Sequence, residues 1–206
     1  DILEYTISTT NSGQDGARNS VFSDVIPTGT TYVPGSLSIV VGANAGAKTD
    51  AAGDDQGEFD SAGNRVVVRV GTGANATTGG LLAPGDSIQI KFRVQISAAA
   101  ADNQVISNSA RFDYIVQTLG TAGSDISDSD PAAPGDQPTS VTVSRKADVS
   151  VTKTNTPGVN GEVDQAADTV ASGATTTYTL TVSNAGPFQA DGTTLTDAAT
   201  GITLTG

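Results

Sequence analysis

The chain has 206 residues, a formal net charge of −12 and only 16% charged side chains, with 24 Gly and 8 Pro among short runs of Thr, Ser and Val, a composition of strands and turns rather than helices. Cys, Met, Trp and His are all absent, which removes the thiol nucleophile, the histidine base, the imidazole or thiolate metal ligand and the disulfide framework together, so most enzyme chemistries are closed. The 10 Lys and Arg against 22 Asp and Glu argue against a nucleic-acid partner, since nothing displaces phosphate counterions, and no run of 18 apolar residues or basic-then-apolar start predicts a membrane span or signal peptide.

Residues 3–10, LEYTISTT, alternate in polarity and predict a first strand, ended by the turn Asn11-Ser12-Gly13. A second short strand is predicted over 19–24 and broken at Ile26-Pro27-Thr28-Gly29; TTYV and then SLSIVVG at 36–42 follow, with Pro34-Gly35 as the turn between them. Residues 43–64 are small and acidic and read as a long loop with a brief strand near Phe59. RVVVRVG at 65–71 predicts a strand with Val66, Val68 and Val70 on one face. The turn Ala83-Pro84-Gly85-Asp86 feeds residues 87–97, where Ile88, Ile90, Phe92, Val94 and Ile96 point to the core and Gln89, Lys91, Arg93 and Gln95 to water. Residues 98–102 read as a connection, 104–117 as one long strand with a bulge near Ser109-Ala110, and 118–138 as a second acidic loop. Residues 140–154 are expected to run extended, without a break, into a second unit that passes through a polar loop at Asn160-Gly161 to Ser172-Gly173.

The chain contains one stretch twice. Residues 5–24 and 178–197 superpose without a gap, Tyr5 on Tyr178, Asn11 on Asn184, Gly13 on Gly186 and Asp24 on Asp197, at a constant offset of 173. An internal repeat of this kind defines the architecture. The division expected from it is residues 1–146 as one β-sandwich repeat lacking its first strand, and 147–206 as the opening strands of a second repeat. Asp1 stands just before a strand, which suggests that processing, or the choice of fragment, removed what came before.

At ADVSVTKTNTP, YTLTVSNAGP and LTDAATGITLTG the chain resembles the DUF11 (conserved repeat) family of bacterial and archaeal surface proteins, and SDVIPTGTTYVPGSL, APGDSIQIKFRVQI and VISNSARFDY in the first unit are family-like too. The departures are the missing opening strand of the first unit and Asp197 followed by Ala-Ala-Thr where the family often has Pro. The resemblance implies an all-β fold of immunoglobulin-like β-sandwiches in tandem, in large secreted or cell-wall proteins, with no known catalytic activity.

Two constellations carry chemistry. Asp50, Asp54, Asp55, Glu58 and Asp60 in one loop, with Asp125, Asp128, Asp130 and Asp136 in another, supply oxygens of the type calcium prefers, but a solvated acidic surface explains the same residues and no EF-hand spacing is present. Lys153, Asp24 or Asp197, and Asn108 have the types and order of the Lys–Asn amide cross-link found in immunoglobulin-like domains of pilins and adhesins, which needs a neutral Lys and a protonated acid, both favoured by burial. Neither unit holds the full set, so an intermolecular version would join Lys153 of one subunit to Asn108 of another; ordinary strand and cap roles account for the same residues. Asn75-Ala76-Thr77 fits the glycosylation pattern. Asn11 and Asn184 read as turn residues tolerating a left-handed backbone, Tyr5 and Tyr178 as core aromatics with bonded hydroxyls, and Arg65, Arg69, Lys91 and Arg93 either as a basic strip on adjacent strands or as partners of acids across the sheet.

The sequence therefore predicts a noncatalytic, extracellular structural protein, a stalk segment or the subunit of a surface filament. Its expected partners are copies of itself or adjacent repeats, head-to-tail, with residues 140–154 as the strand donor. The alternative is an adhesin or carbohydrate-binding module using loops at one end of the sandwich, weakened by the absence of Trp. No cofactor beyond the calcium candidate is implied.

Overall fold

A computed structural model describes residues 1–156, 171–198 and 200 and separates the chain into two compact units, 1–143 and 144–206. The polar loop at Asn160-Gly161 lies outside the described residues. The first unit carries β1 (Ile2–Thr10), β2 (Ala17–Val25), β3 (Thr30–Tyr32), β4 (Ser38–Val41), β5 (Gly46–Ala47), β6 (Gly57–Asp60), β7 (Arg65–Arg69), β8 (Gly80–Leu82), β9 (Ser87–Ile96), β10 (Val105–Asn108), β11 (Ala110–Val116), β12 (Ala122–Ile126) and β13 (Thr139–Thr142); the second carries β14 (Val149–Thr156) and β15 (Thr177–Asn184). All pairings are antiparallel, and the described residues contain no helix.

The all-β prediction is what the structure shows, in the form of a sandwich. One sheet has the order β1-β9-β4-β5, with β3 also on β9; the other has the order β12-β11-β2-β7-β6, with β8 also on β2. Strand β9 alternates as a half-buried strand should. Along β9, Ile88, Ile90, Phe92 and Val94 are buried, and Val66 and Val68 of β7, with Val70 just after it, join them in one core cluster from the opposite sheet. Tyr5 packs on Phe92 with ring centroids 5.4 Å apart, and Phe22 packs on Phe112 at 4.8 Å. The same alternation on β2 sends Ser20, Phe22 and Asp24 inward, so a carboxylate is committed to the core by the strand that also supplies one of its aromatic rings.

Three predicted segments differ from the structure. Residues 104–117 are not one bulged strand: β10 pairs with β13, and after Ser109 β11 pairs with β2 and β12. Burial still alternates through the break, with Ile106, Asn108 and Ala110 all buried, because period two records which face is covered and not which strand lies alongside. The acidic stretch 118–138 holds β12, a polar edge strand whose ladder to β11 leaves no apolar alternation to read. The segment 140–154 is not one connector. Its start is β13, tied to β10, and Val143 closes a small cluster with Ala100 and Ile106, while β14 belongs to the second unit.

Phe92 has no exposed surface and touches both sheets' side chains, so Phe92→Ala is expected to lower the stability of the full chain by about 3–5 kcal/mol, read from the urea midpoint of unfolding.

Candidate docking edge and buried Asp–Asn pair

Strand β1 ends its sheet. Asn11 N donates to Asp86 O at 2.9 Å, Gly85 N donates to Asn11 O at 2.8 Å, and Ile96 N donates to Asp1 O at 2.9 Å. These bonds fix the parity of the strand: odd-numbered residues turn their amides and carbonyls to β9, and Glu4, Thr6, Ser8 and Thr10 turn theirs to the opposite edge. Among the described residues no strand pairs with that edge. A long open edge is a template for another strand.

The second unit shows the repeated strand with the same edge filled. Ala185 N donates to Asp148 O at 2.8 Å, and Lys153 stands opposite Leu180 in the β14–β15 ladder. Parity then turns Thr179, Thr181 and Ser183 toward β14, and the 173-residue offset makes these the counterparts of Thr6, Ser8 and Thr10. The turns after the two strands confirm the equivalence. Asn11 Oδ1 accepts from Gly13 N at 3.1 Å while Asn11 Nδ2 donates to Asp15 O at 2.9 Å; Asn184 Oδ1 accepts from Gly186 N at 3.0 Å while Asn184 Nδ2 donates to Phe188 O at 2.6 Å. Asn184 Oδ1 has one further donor, Asp148 N at 3.0 Å, at the mouth of β14. A Cβ on Gly186 would fall 2.5 Å from Asp148 N and 2.6 Å from Lys146 O, whereas one on Gly13 would meet only Asn11 Oδ1, at 3.2 Å. The room that β14 fills beside β15 stands open beside β1.

Behind the edge the sandwich is incompletely closed. Leu3 and Ile7 of β1 and Phe112 and Tyr114 of β11 are half-buried against the core. A cavity of about 330 Å³ opens between Thr9, Asn11, Ala17, Leu82, Phe112 and Tyr114. In the second unit Lys153 Nζ lies 4.6 Å from the Tyr178 ring centroid and 2.8 Å from each oxygen of Asp197, so Val149 and Val151, which share its strand face, point to the side on which Tyr178 stands. The counterpart of Tyr178 is the core residue Tyr5.

Of the predicted cross-linking set, the structure assembles two halves. Asp24, 4% exposed, and Asn108, 7% exposed, are brought together from β2 and the end of β10, with Asn108 Nδ2 donating to Asp24 Oδ2 at 2.9 Å. Asp24 Oδ1 is buried without a partner. Burial pushes the Asp24 carboxyl up to about 6, opposed by the bond from Asn108, and the Tyr5 hydroxyl is raised by its own burial and by the charge on Asp24. Lys153 and Asp197, the other half, are paired in the second unit. Among the described residues neither unit brings a lysine, a buried acid and an asparagine together.

The acidic loops do not converge: among the described residues no three acids are placed to hold a metal ion. Their oxygens serve the backbone and nearby side chains instead. Asp50 accepts from Tyr32 OH and Gly35 N, Asp54 from Thr49 Oγ1, Asp55 from Thr49 N and Gly57 N, and Asp60 from Gly63 N and Arg65 Nε. Glu58 pairs with Arg69; Asp128 and Asp130 accept from turn amides, Asp125 caps the adjacent Ile126 N, and Asp136 is exposed. Asn75 Oδ1 accepts from the amides of Thr77 and Thr78 in an exposed turn. Arg65 and Arg69 lie on β7, and Lys91 and Arg93 on β9 in the other sheet, so they form no strip; each pairs with an acid, Lys91 and Arg93 both with Glu4. Asn11 and Asn184 are not left-handed, since among the described residues the non-glycine residues with positive φ are Asn19, Asn44, Asn64 and Asn103. The pattern Asn-x-Gly was visible in both copies of the repeat, but that the Asn184 amide receives the neighbouring strand at Asp148 was not.

No protein-family model matches the chain, and no curated protein matches its sequence. Among solved structures it is similar to the major pilin subunit BcpA of Bacillus cereus (12% identity, TM-score 0.46, 73% of this chain and 36% of that one). It is also similar to domains D2 and D3 of the major pilin SpaD from Corynebacterium diphtheriae (13%, 0.44, 88% and 67%) and to the collagen-binding domain of a Staphylococcus aureus adhesin (13%, 0.40, 61% and 86%). The chain thus spans about a third of the Bacillus cereus pilin. Likeness of this degree says nothing about what the chain binds or joins.

Because Asp24 keeps its proton to about pH 6 in the folded chain but loses it near pH 4 when unfolded, the unfolded state binds fewer protons between these values. Stability therefore falls as pH rises from 4 to 6, and the loss, on the order of 3 kcal/mol, is complete above pH 6. Asp24→Asn is expected to be more stable than the parent at pH 7 by up to that amount and to match it near pH 4, in denaturant titrations run across this range. A constant separation at every pH would contradict the burial account.

Proposed function

We propose that this chain is a noncatalytic, extracellular structural protein of the conserved-repeat surface type, a stalk segment or filament subunit built from immunoglobulin-like units. In this reading it assembles head-to-tail when β14 of a second copy pairs with the open edge of β1. The observation that supports it is the parity match: the edge of β1 that lacks a partner is the edge that β15 gives to β14. Donation narrows to β14, because residues 139–142 are held by β10 in the first unit.

The transfer is favoured by what β14 leaves and what it gains. Among the described residues it forms a two-stranded sheet with β15, a marginal structure by itself, and Val149, Val151 and Val182 stand exposed on it. On β1, Val149 and Val151 would reach the cavity beside Asn11 and Thr9, Ser150 and Thr152 would bond the free backbone of Thr10 and Ser8, and Asp148 N would take the second place on Asn11 Oδ1. A contact between unlike surfaces does not close on itself and so extends as a fibre. Tyr5, Phe22, Tyr32 and Phe92 are buried, which leaves the adhesin or carbohydrate-binding alternative fewer aromatic faces on which to stack a sugar ring.

The concentrated wild-type chain is expected to form oligomers and fibres by light scattering and electron microscopy. Gly13→Val places a side chain where the incoming backbone must pass and is expected to abolish assembly, with a small loss of melting temperature because its Cβ comes 3.2 Å from Asn11 Oδ1. A wild-type chain that stays monomeric at high concentration, or a Gly13→Val variant that polymerises as well as the parent, would overturn this reading.

A further inference from the structure

Strand register, carried over from the second unit to the first, specifies where each side chain of an incoming β14 would arrive. Lys153 stands opposite Leu180, whose counterpart is Ile7, and it reaches Asp197 beside Tyr178. The counterparts of Asp197 and Tyr178 are Asp24 and Tyr5. An incoming Lys153 would thus bring its amine to Asp24, whose Oδ1 is buried and unpartnered and whose Oδ2 already holds the carboxamide nitrogen of Asn108. The second unit has the lysine and the acid, both part-exposed; the first has the acid and the amide, both buried.

We infer that Asp24 and Asn108 are the acceptor half of a covalent subunit junction, in which Lys153 of a second copy forms an amide with Asn108. This rests on the strand-docking reading above. The ammonium of Lys153, buried by docking against the carboxylate of Asp24, passes it a proton, leaving a neutral amine and a carboxylic acid, the pair that a low-dielectric site favours. The amine attacks Cγ of Asn108. Asp24 gives its proton to Nδ2, the atom it already contacts, and takes one from Nζ. The Cγ–Nδ2 bond breaks, ammonia leaves, and Nζ–Cγ remains as an amide. No oxidant, metal or further reactant enters the balance, and Asp24 acts as a general acid and base at one position. Docking supplies the effective concentration for an otherwise slow amide exchange.

The probe is a peptide with the sequence of residues 147–156 carrying a fluorescein on its N-terminus, added in excess to the full chain, with intact mass measured under denaturing conditions and peptide binding followed separately by fluorescence anisotropy. The expected result is an adduct equal to chain plus peptide minus one ammonia, with the link mapped by fragmentation to Asn108. The peptide carrying Lys153→Arg, which leaves the chain untouched, is expected to bind with similar affinity and give no adduct; Asn108→Ala in the chain is expected to abolish the adduct as well. Binding of the wild-type peptide without any adduct overturns the cross-link and leaves strand docking standing. An adduct mapped to another residue overturns the role of Asn108. Absence of binding overturns docking and the cross-link together.

Discussion

A strand at the end of a sheet leaves one row of backbone amides and carbonyls without a ladder partner, and among the described residues β1 presents such a row. The strand is part of the core through Tyr5, and it gives one full row of backbone groups to β9. The other row faces outward beside half-buried apolar side chains from both sheets. The cavity near Asn11, the free second position on the Asn11 carboxamide and the open space beside Gly13 all lie along this edge, and the proposed docking would fill them together.

The buried acid belongs to the same arrangement. Asp24 is inward because β2 alternates and Phe22 must be inward too, and one oxygen of its carboxyl is satisfied by Asn108 while the other is not. An isolated buried charge is costly, so the carboxyl holds its proton to a higher pH than an exposed one. In the second unit the equivalent acid is met by a lysine at the strand position that the first unit leaves empty. Stability given up at Asp24 is the physical basis for reading the pair as a receptor.

Strand β9 was legible from its residues alone, since a half-buried strand writes its face into the sequence at period two, and β7 was legible as a run of β-branched residues. The repeat was legible as well, and Asp24, Asp197, Lys153 and Asn108 could be singled out by type and order. Pairing was not legible. The alternation of 105–111 runs unbroken across Ser109 although the strand changes sheets there, and β12 is too polar to announce itself. The acidic loops looked like a cation site because composition counts carboxylates but not the amides that occupy them, as Asp50, Asp55 and Asp60 show.

By itself, then, the sequence determined an all-β chain with a repeated strand and turn, because side-chain polarity and the turn chemistry of Asn and Gly are local properties. Only the tertiary structure decided which edge of β1 is free, that this is the edge β15 shares with β14, and that Asp24 and Asn108 meet in the core while Lys153 holds Asp197 elsewhere. Backbone hydrogen bonding has no sequence signature, and contacts between residues as far apart as Asp24 and Asn108 exist only once the sheets have stacked.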